Sequence, residues 1–189
     1  MFLSPKFDEA LVYAAQAHRE QLRKETEIPY VAHLLAVTGI VLEYGGSETE
    51  AIAALLHDAV EDQGGKKRLA DIRQRFGVEV AEIVAGCTDA DVIPKPPWRA
   101  RKEAYIAHVA TASKSVRLVS AADKLANARS IIKDYRVEGE RVWTRFSEGR
   151  DGTLWYYQSL AIAFKQAGDS PLVQELARAV REMKALATP

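Results

Sequence analysis

Apolar residues recur at three- and four-residue steps along almost the whole chain, and no segment alternates as a strand would. That periodicity restricts the fold to packed helices. Over 7–24, the residues Phe7, Ala10, Leu11, Ala14, Ala15 and Leu22 share one helical face. A second helix is predicted over 31–44, stopping at Gly45-Gly46. A third opens with Ser47-Glu48-Thr49-Glu50, a capping box in which hydroxyl and carboxylate exchange backbone amides, and runs from Ala51 to about Asp62. Further helices are predicted over 68–76, 78–85, 99–112, 115–134, 140–146, 153–166 and 171–187; the last follows a Ser170-Pro171 start signal. The stretch 89–98 holds Pro94, Pro96 and Pro97 and reads as a loop. The expectation is an all-α, compact multi-helix fold, one domain over 1–189 with the C-terminal helix packed on it.

Composition narrows the function classes. Lys+Arg and Asp+Glu number 26 each, so a bulk electrostatic grip on nucleic acid or on an anionic membrane is not expected. No uncharged run approaches the ~18 apolar residues of a membrane span, and the first residues do not form a signal peptide. A cytoplasmic protein follows as an expectation. The single cysteine, Cys87, leaves no internal disulfide and no multi-cysteine zinc site; without an activating base nearby in sequence it reads as a buried thiol.

Chemistry concentrates on the third predicted helix. His57-Asp58 and Glu61-Asp62 stand four residues apart as two adjacent rows, after the wholly apolar run from Ala51 to Leu56. An isolated His-Asp pair is ordinarily a solvated helix end. Two other positions weigh against that here. His33 begins an otherwise apolar helix, and Asp123 is embedded in Val116–Asn127, an apolar helical stretch, with Asn127 one turn on. A lone buried aspartate is avoided unless paired. Lys124, its neighbour, is expected to point elsewhere on the helix. Three helices each offering a histidine or aspartate at an awkward place point to one shared cation. By contrast Lys66-Lys67-Arg68 reads as a solvated loop, His18 as a surface or supporting residue, and His108 has no evident partner.

The order His…His-Asp…Asp resembles the HD metal-dependent phosphohydrolase superfamily. More closely, the chain is similar to the hydrolase domain of RelA/SpoT-type alarmone enzymes, in particular the stand-alone small alarmone hydrolases (Mesh1-like). The resemblance rests on Ala17–Lys24, Pro29–His33, Ala54–Asp62, Phe76–Ala81 and Ala122–Arg129, in family order and spacing. It implies an HD-domain fold in which His33, His57, Asp58 and Asp123 ligate one Mn²⁺. Glu61 and Asp62 match the acids that position or deprotonate the attacking water. Arg23 and Lys24 match the basic pair that meets phosphates; read without the family, they are cations complementing a helix C-terminus. Asn127 matches a substrate contact, Lys95 a basic residue near the diphosphate, and Tyr156 (or Tyr157) a border of the nucleoside site. Ala126 departs from the family, which often has His or Tyr there.

The implied activity is hydrolysis of the 3′-diphosphate of an alarmone, ppGpp or pppGpp or their adenosine analogues ppApp and pppApp. The products are the nucleoside 5′-di- or triphosphate and pyrophosphate. The length leaves no room for a synthetase domain. A homodimer is compatible with the resemblance. Two other readings stay open from the sequence: an HD phosphohydrolase acting on NADPH or a 5′-nucleotide, and a catalytically silent nucleotide-sensing module. The Glu61-Asp62 pair argues against the second, because binding alone needs no acids beside a water.

Overall fold

The computed structural model describes residues 2–89 and 96–187. In chain order its α-helices are α1 (Pro5–Ala17), α2 (Val31–Glu43), α3 (Glu48–Leu56), α4 (Ala59–Asp62), α5 (Gly65–Phe76), α6 (Val78–Cys87), α7 (Trp98–Thr111), α8 (Lys114–Glu138), α9 (Gly149–Ala167) and α10 (Pro171–Leu186). A 3-10 segment, Gly139–Arg145, joins α8 to α9. Among the described residues there is no strand, only an isolated antiparallel bridge between Leu22 and Pro29. None of these helices is long and apolar enough to cross a membrane.

Helix α3 is the centre. The Ser47 hydroxyl accepts the Glu50 amide at 3.3 Å, and the Glu50 carboxylate accepts the Ser47 amide at 2.7 Å. That box fixes the start, and the next six residues, Ala51 to Leu56, are all buried. A helix apolar on every side must be covered on every side, and α1, α2, α6 and α8 pack around this one. Helix α8, capped by Ser113, runs along α2, α3 and α6 and then against α10. Its approach to α6 needs Gly86, where a β-carbon would meet the Val116 side chain at 2.6 Å. Helix α10 buries Leu172, Val173, Leu176, Ala179, Val180 and Met183, the stripe facing α8 and α9.

Three sequence expectations change. The helix predicted over 7–24 stops at Ala17, and residues 21–30 form a clipped loop: Arg23 donates its amide to the Ile28 carbonyl at 2.8 Å, and Tyr30 donates to Gln21 at 2.9 Å. The one apolar residue in the lost part, Leu22, is exposed, so no buried stripe carries the helix on. Arg23 and Lys24 therefore stand on a loop, and the helix-terminus reading of them is wrong. The helix predicted over 51–62 breaks at His57-Asp58 into α3 and α4. Lys66-Lys67-Arg68 lies in the first turn of α5 rather than in a loop, and Arg68 is placed over the Tyr13 ring. Of the predicted loop 89–98, residues 90–95 lie outside the described residues, and Lys95 with them.

Adjacent leucines of α2 test the register. Leu34 is 0% exposed and Leu35 48%. Leu34→Ala is expected to cost about 2–5 kcal/mol in denaturant unfolding, and Leu35→Ala no more than about 0.5 kcal/mol.

Candidate metal centre and adjoining cleft

His33 comes from the first turn of α2, His57 and Asp58 from the break between α3 and α4, and Asp123 from the middle of α8. The packing of α2 and α8 on α3 brings the four together. The His57 Nε2 atom lies 3.0 Å from Asp58 Oδ2 and 3.7 Å from Asp123 Oδ1. The His33 Nε2 atom lies 3.4 Å and 3.2 Å from the same two oxygens. Ligand atoms of His33, His57 and Asp58 all fall within 4.8 Å of one another.

Both Nε2 atoms are buried and make no hydrogen bond within the described residues. The His57 Nδ1–H donates to the Ala54 carbonyl at 2.8 Å, which fixes the tautomer and turns the Nε2 lone pair toward the carboxylates. A lone pair facing carboxylate oxygens in a buried site is the donor set of a divalent cation; the backbone bond is the usual outer support of a metal-ligating histidine. The residues present therefore fit a metal. The electrostatics agree. Burial alone would raise both carboxyls, but a His57 kept protonated by the two carboxylates holds Asp58 below the usual carboxylate range, and Lys124 does the same for Asp123; a bound cation would take the place of the proton on Nε2.

The surroundings of the quartet include groups the sequence did not flag. Lys124 does not point away: its four-carbon stem folds back, and Nζ donates to Asp123 Oδ2 at 2.7 Å. Asn127 donates to Asp123 Oδ1 and, through its own Oδ1, accepts the Arg23 guanidinium at 2.7 Å. The Tyr30 hydroxyl donates to Asp58 Oδ2 at 2.7 Å. His18 is 2% exposed, not a surface residue, and stacks on Tyr30 with ring centres 5.1 Å apart. Tyr30 had a sequence signal in the Pro29–His33 segment of the resemblance, but no role attached to it. Nothing in the sequence marked Lys102.

A cleft of about 600 Å³ opens beside the quartet. Arg23, Lys24, His33, Asn127, Tyr156 and Tyr157 line it, so most of the expected contacts come together. Lys102, Lys124 and Arg145 add positive charge, and Trp98 and Phe146 add aromatic wall. The Lys24 ammonium rests on the Arg145 carbonyl. Glu61 and Asp62 are not among the described lining residues; they sit on α4, one turn past the metal cluster, and Asp62 accepts from Gln21 Nε2 at 2.9 Å. Cys87, expected to be buried, is half-buried, and desolvation pushes its thiol up to about 11. His108 finds a partner in the Gly86 carbonyl at 3.1 Å.

Residues 10–154 match the HD domain model. The guanosine-3′,5′-bis(diphosphate) 3′-pyrophosphohydrolase MESH1 of Drosophila melanogaster is 38% identical over 151 residues, covering 78% of each chain. The enzyme of the same name from Homo sapiens is 33% identical over 172 residues, covering 85% of this chain and 93% of that one. Among solved structures, one described as a metazoan ortholog of SpoT that hydrolyzes ppGpp superposes with a TM-score of 0.80 at 31% identity, over 96% of this chain and 97% of that one. The lmo0812 structure from Listeria monocytogenes EGD-e gives 0.72 at 35% identity, over 79% and 96%.

A cation bound only by the folded quartet stabilises it by mass action. A divalent ion at a hundred times its Kd is expected to add about 2.7 kcal/mol, read as a rise in Tm. The same addition should leave the Tm of His57→Ala unmoved.

Proposed function

The chain belongs to the HD-domain hydrolases of the MESH1 type, and on that premise we propose that it hydrolyses the 3′-diphosphate of ppGpp and pppGpp. The products are GDP or GTP and pyrophosphate. The observation that carries this reading is the pair of unpartnered buried imidazole nitrogens, facing two carboxylates beside a cation-lined cleft. A catalytically silent module would have little use for such a site with two further acids at its edge.

In this reading His33, His57, Asp58 and Asp123 hold one metal ion, and Mn²⁺ suits two imidazoles and two carboxylates. When bound, the ion supplies Lewis acidity: it offsets charge on the phosphoryl group and makes water a better nucleophile at neutral pH. The chain's own groups do the rest. Arg23 grips phosphate oxygens through two N–H donors, and Lys24 adds a point charge. Release of Arg23 from Asn127 as substrate enters leaves the Asn127 amide free for the ribose or a phosphate. Lys95 supplies a further cation near the diphosphate. Tyr156 borders the nucleoside, with the ring cluster around it as an apolar wall.

Asp62 or Glu61 takes the proton of the attacking water. Water adds to the phosphorus joined to O3′, the P–O3′ bond breaks, and O3′ is protonated as pyrophosphate leaves. Asp62 is exposed at the edge of the site, and partial desolvation together with the nearby Asp58 raises its carboxyl from the ordinary value against the pull of the Gln21 hydrogen bond, a direction that favours taking up a proton. The balanced charge of 26 against 26 suits a small nucleotide rather than nucleic acid. The whole chain, 1–189, is read as one hydrolase unit working in the cytoplasm.

Incubation with ppGpp, pppGpp, ppApp, pppApp and NADPH, each with Mn²⁺, Mg²⁺ or chelator, tests this. Pyrophosphate is expected from the guanosine alarmones with Mn²⁺, and none with chelator. Orthophosphate from NADPH with no pyrophosphate from any alarmone would overturn it. Arg23→Ala is expected to raise KM for ppGpp by about tenfold or more, in line with the loss of a charged hydrogen bond.

A further inference from the structure

Asp62 does not stand alone at the edge of the site. Its Oδ2 accepts from Gln21 Nε2 at 2.9 Å. The Gln21 Oε1 atom meets His18 Nδ1 at 2.6 Å and accepts from Gln63 Nε2 at 2.6 Å. The polarity of this network is dictated by one charge. An ionised carboxylate can only accept, so Gln21 must show it the amide nitrogen. Its oxygen then faces His18 and Gln63, and both must donate. His18 is thereby held with its proton on Nδ1, while its Nε2 is buried with no hydrogen bond among the described residues. A ring 2% exposed and stacked on Tyr30 cannot swing away.

We propose that Gln21, locked by His18 and Gln63, is a positioning residue for the proposed hydrolysis. It holds Oδ2 of Asp62 so that the second carboxylate oxygen is the one presented to water. This rests on the reading of Asp62 as the proton acceptor. It assigns work to residues that are not themselves part of the cleft lining, although His18 and Gln21 both lie against Tyr30, which is. A freely rotating aspartate presents either oxygen in many directions; one anchored on a single oxygen presents the other in few, and the gain appears at the chemical step. The loop that carries Gln21 is clipped by the backbone bond from Tyr30 to Gln21 at 2.9 Å, so the anchor is itself anchored.

The test uses the full-length chain loaded with Mn²⁺ and ppGpp as substrate. Gln21→Met keeps the volume and removes both amide functions. It is expected to lower kcat by about tenfold, a part of what acid–base catalysis contributes, with KM within twofold, one metal per chain and an unchanged Tm. His18→Leu removes the donor behind Gln21 and should fall as far. His18→Asn returns an N–H near the Nδ1 position and should recover most of kcat. Wild-type kcat in Gln21→Met would overturn the proposal. So would a loss shared equally with bound metal or Tm, or His18→Asn no better than His18→Leu. A wild-type chain that releases no pyrophosphate overturns both this and the reading it rests on; active wild type with unaffected variants overturns the anchor alone.

Discussion

Two imidazole nitrogens and two carboxylates pressed together inside a helical core are the constraint to which the rest of the molecule answers. The Nε2 atoms of His33 and His57 are buried away from water and face only carboxylate oxygens, 3.0–3.7 Å away. Like-charged carboxylates brought this close in a buried site need a proton or a cation between them. A fold tolerates that only where tightly packed surroundings leave the side chains nowhere else to go. Helix α3 supplies those surroundings: six buried residues in succession seat it among four neighbours, and its end delivers His57 and Asp58 to the point where α2 and α8 arrive. The stability of the core and the shape of the site are thus set by the same packing.

The carboxylates are managed by cations and donors of graded mobility. Lys124, on the same helix, is tied to Asp123, and Tyr30 is tied to Asp58. Asn127 connects Asp123 to Arg23, which belongs to a loop rather than a helix. A chain of contacts therefore runs from the buried donor set to a guanidinium at the cleft. In the proposed reading a phosphate arriving at Arg23 would compete with Asn127, two hydrogen bonds from Asp123.

Much of this was legible in the sequence, for identifiable reasons. The apolar run Ala51–Leu56 ending in His57-Asp58, the histidine opening the second helix and the aspartate in an apolar stretch all violate ordinary burial preferences, and violations stand out without a structure. The capping box at Ser47 and the Gly45 terminus, with φ of 82°, are local signals and came through intact. What failed was tertiary. Periodicity carried the first helix past Ala17 because nothing local shows that 18–30 folds back and clips itself. The break at His57-Asp58 has no glycine or proline to announce it. Lys124 was dismissed from helical direction alone, which ignores the reach of a long stem. Gln21 showed no role of its own, since its partners Gln63 and Asp62 lie more than forty positions away, and His18 takes its place in the network only through Gln21.

The self-clipped loop also divides its residues into two kinds. Gln21 and Tyr30 sit at its neck, where backbone bonds hold their spacing, and both turn inward to carboxylates. The tip between Arg23 and Ile28 is largely exposed; its backbone bonds close on itself, and it sends Arg23 and Lys24, with Thr26 and Ile28, to the cleft wall. Under the proposed reading, substitutions at 24–28 can retune which anionic ligand is admitted without touching the Arg23–Asn127–Asp123 connection or the carboxylate contacts at the neck, so much of recognition is free to diverge from chemistry within a single short excursion of the backbone.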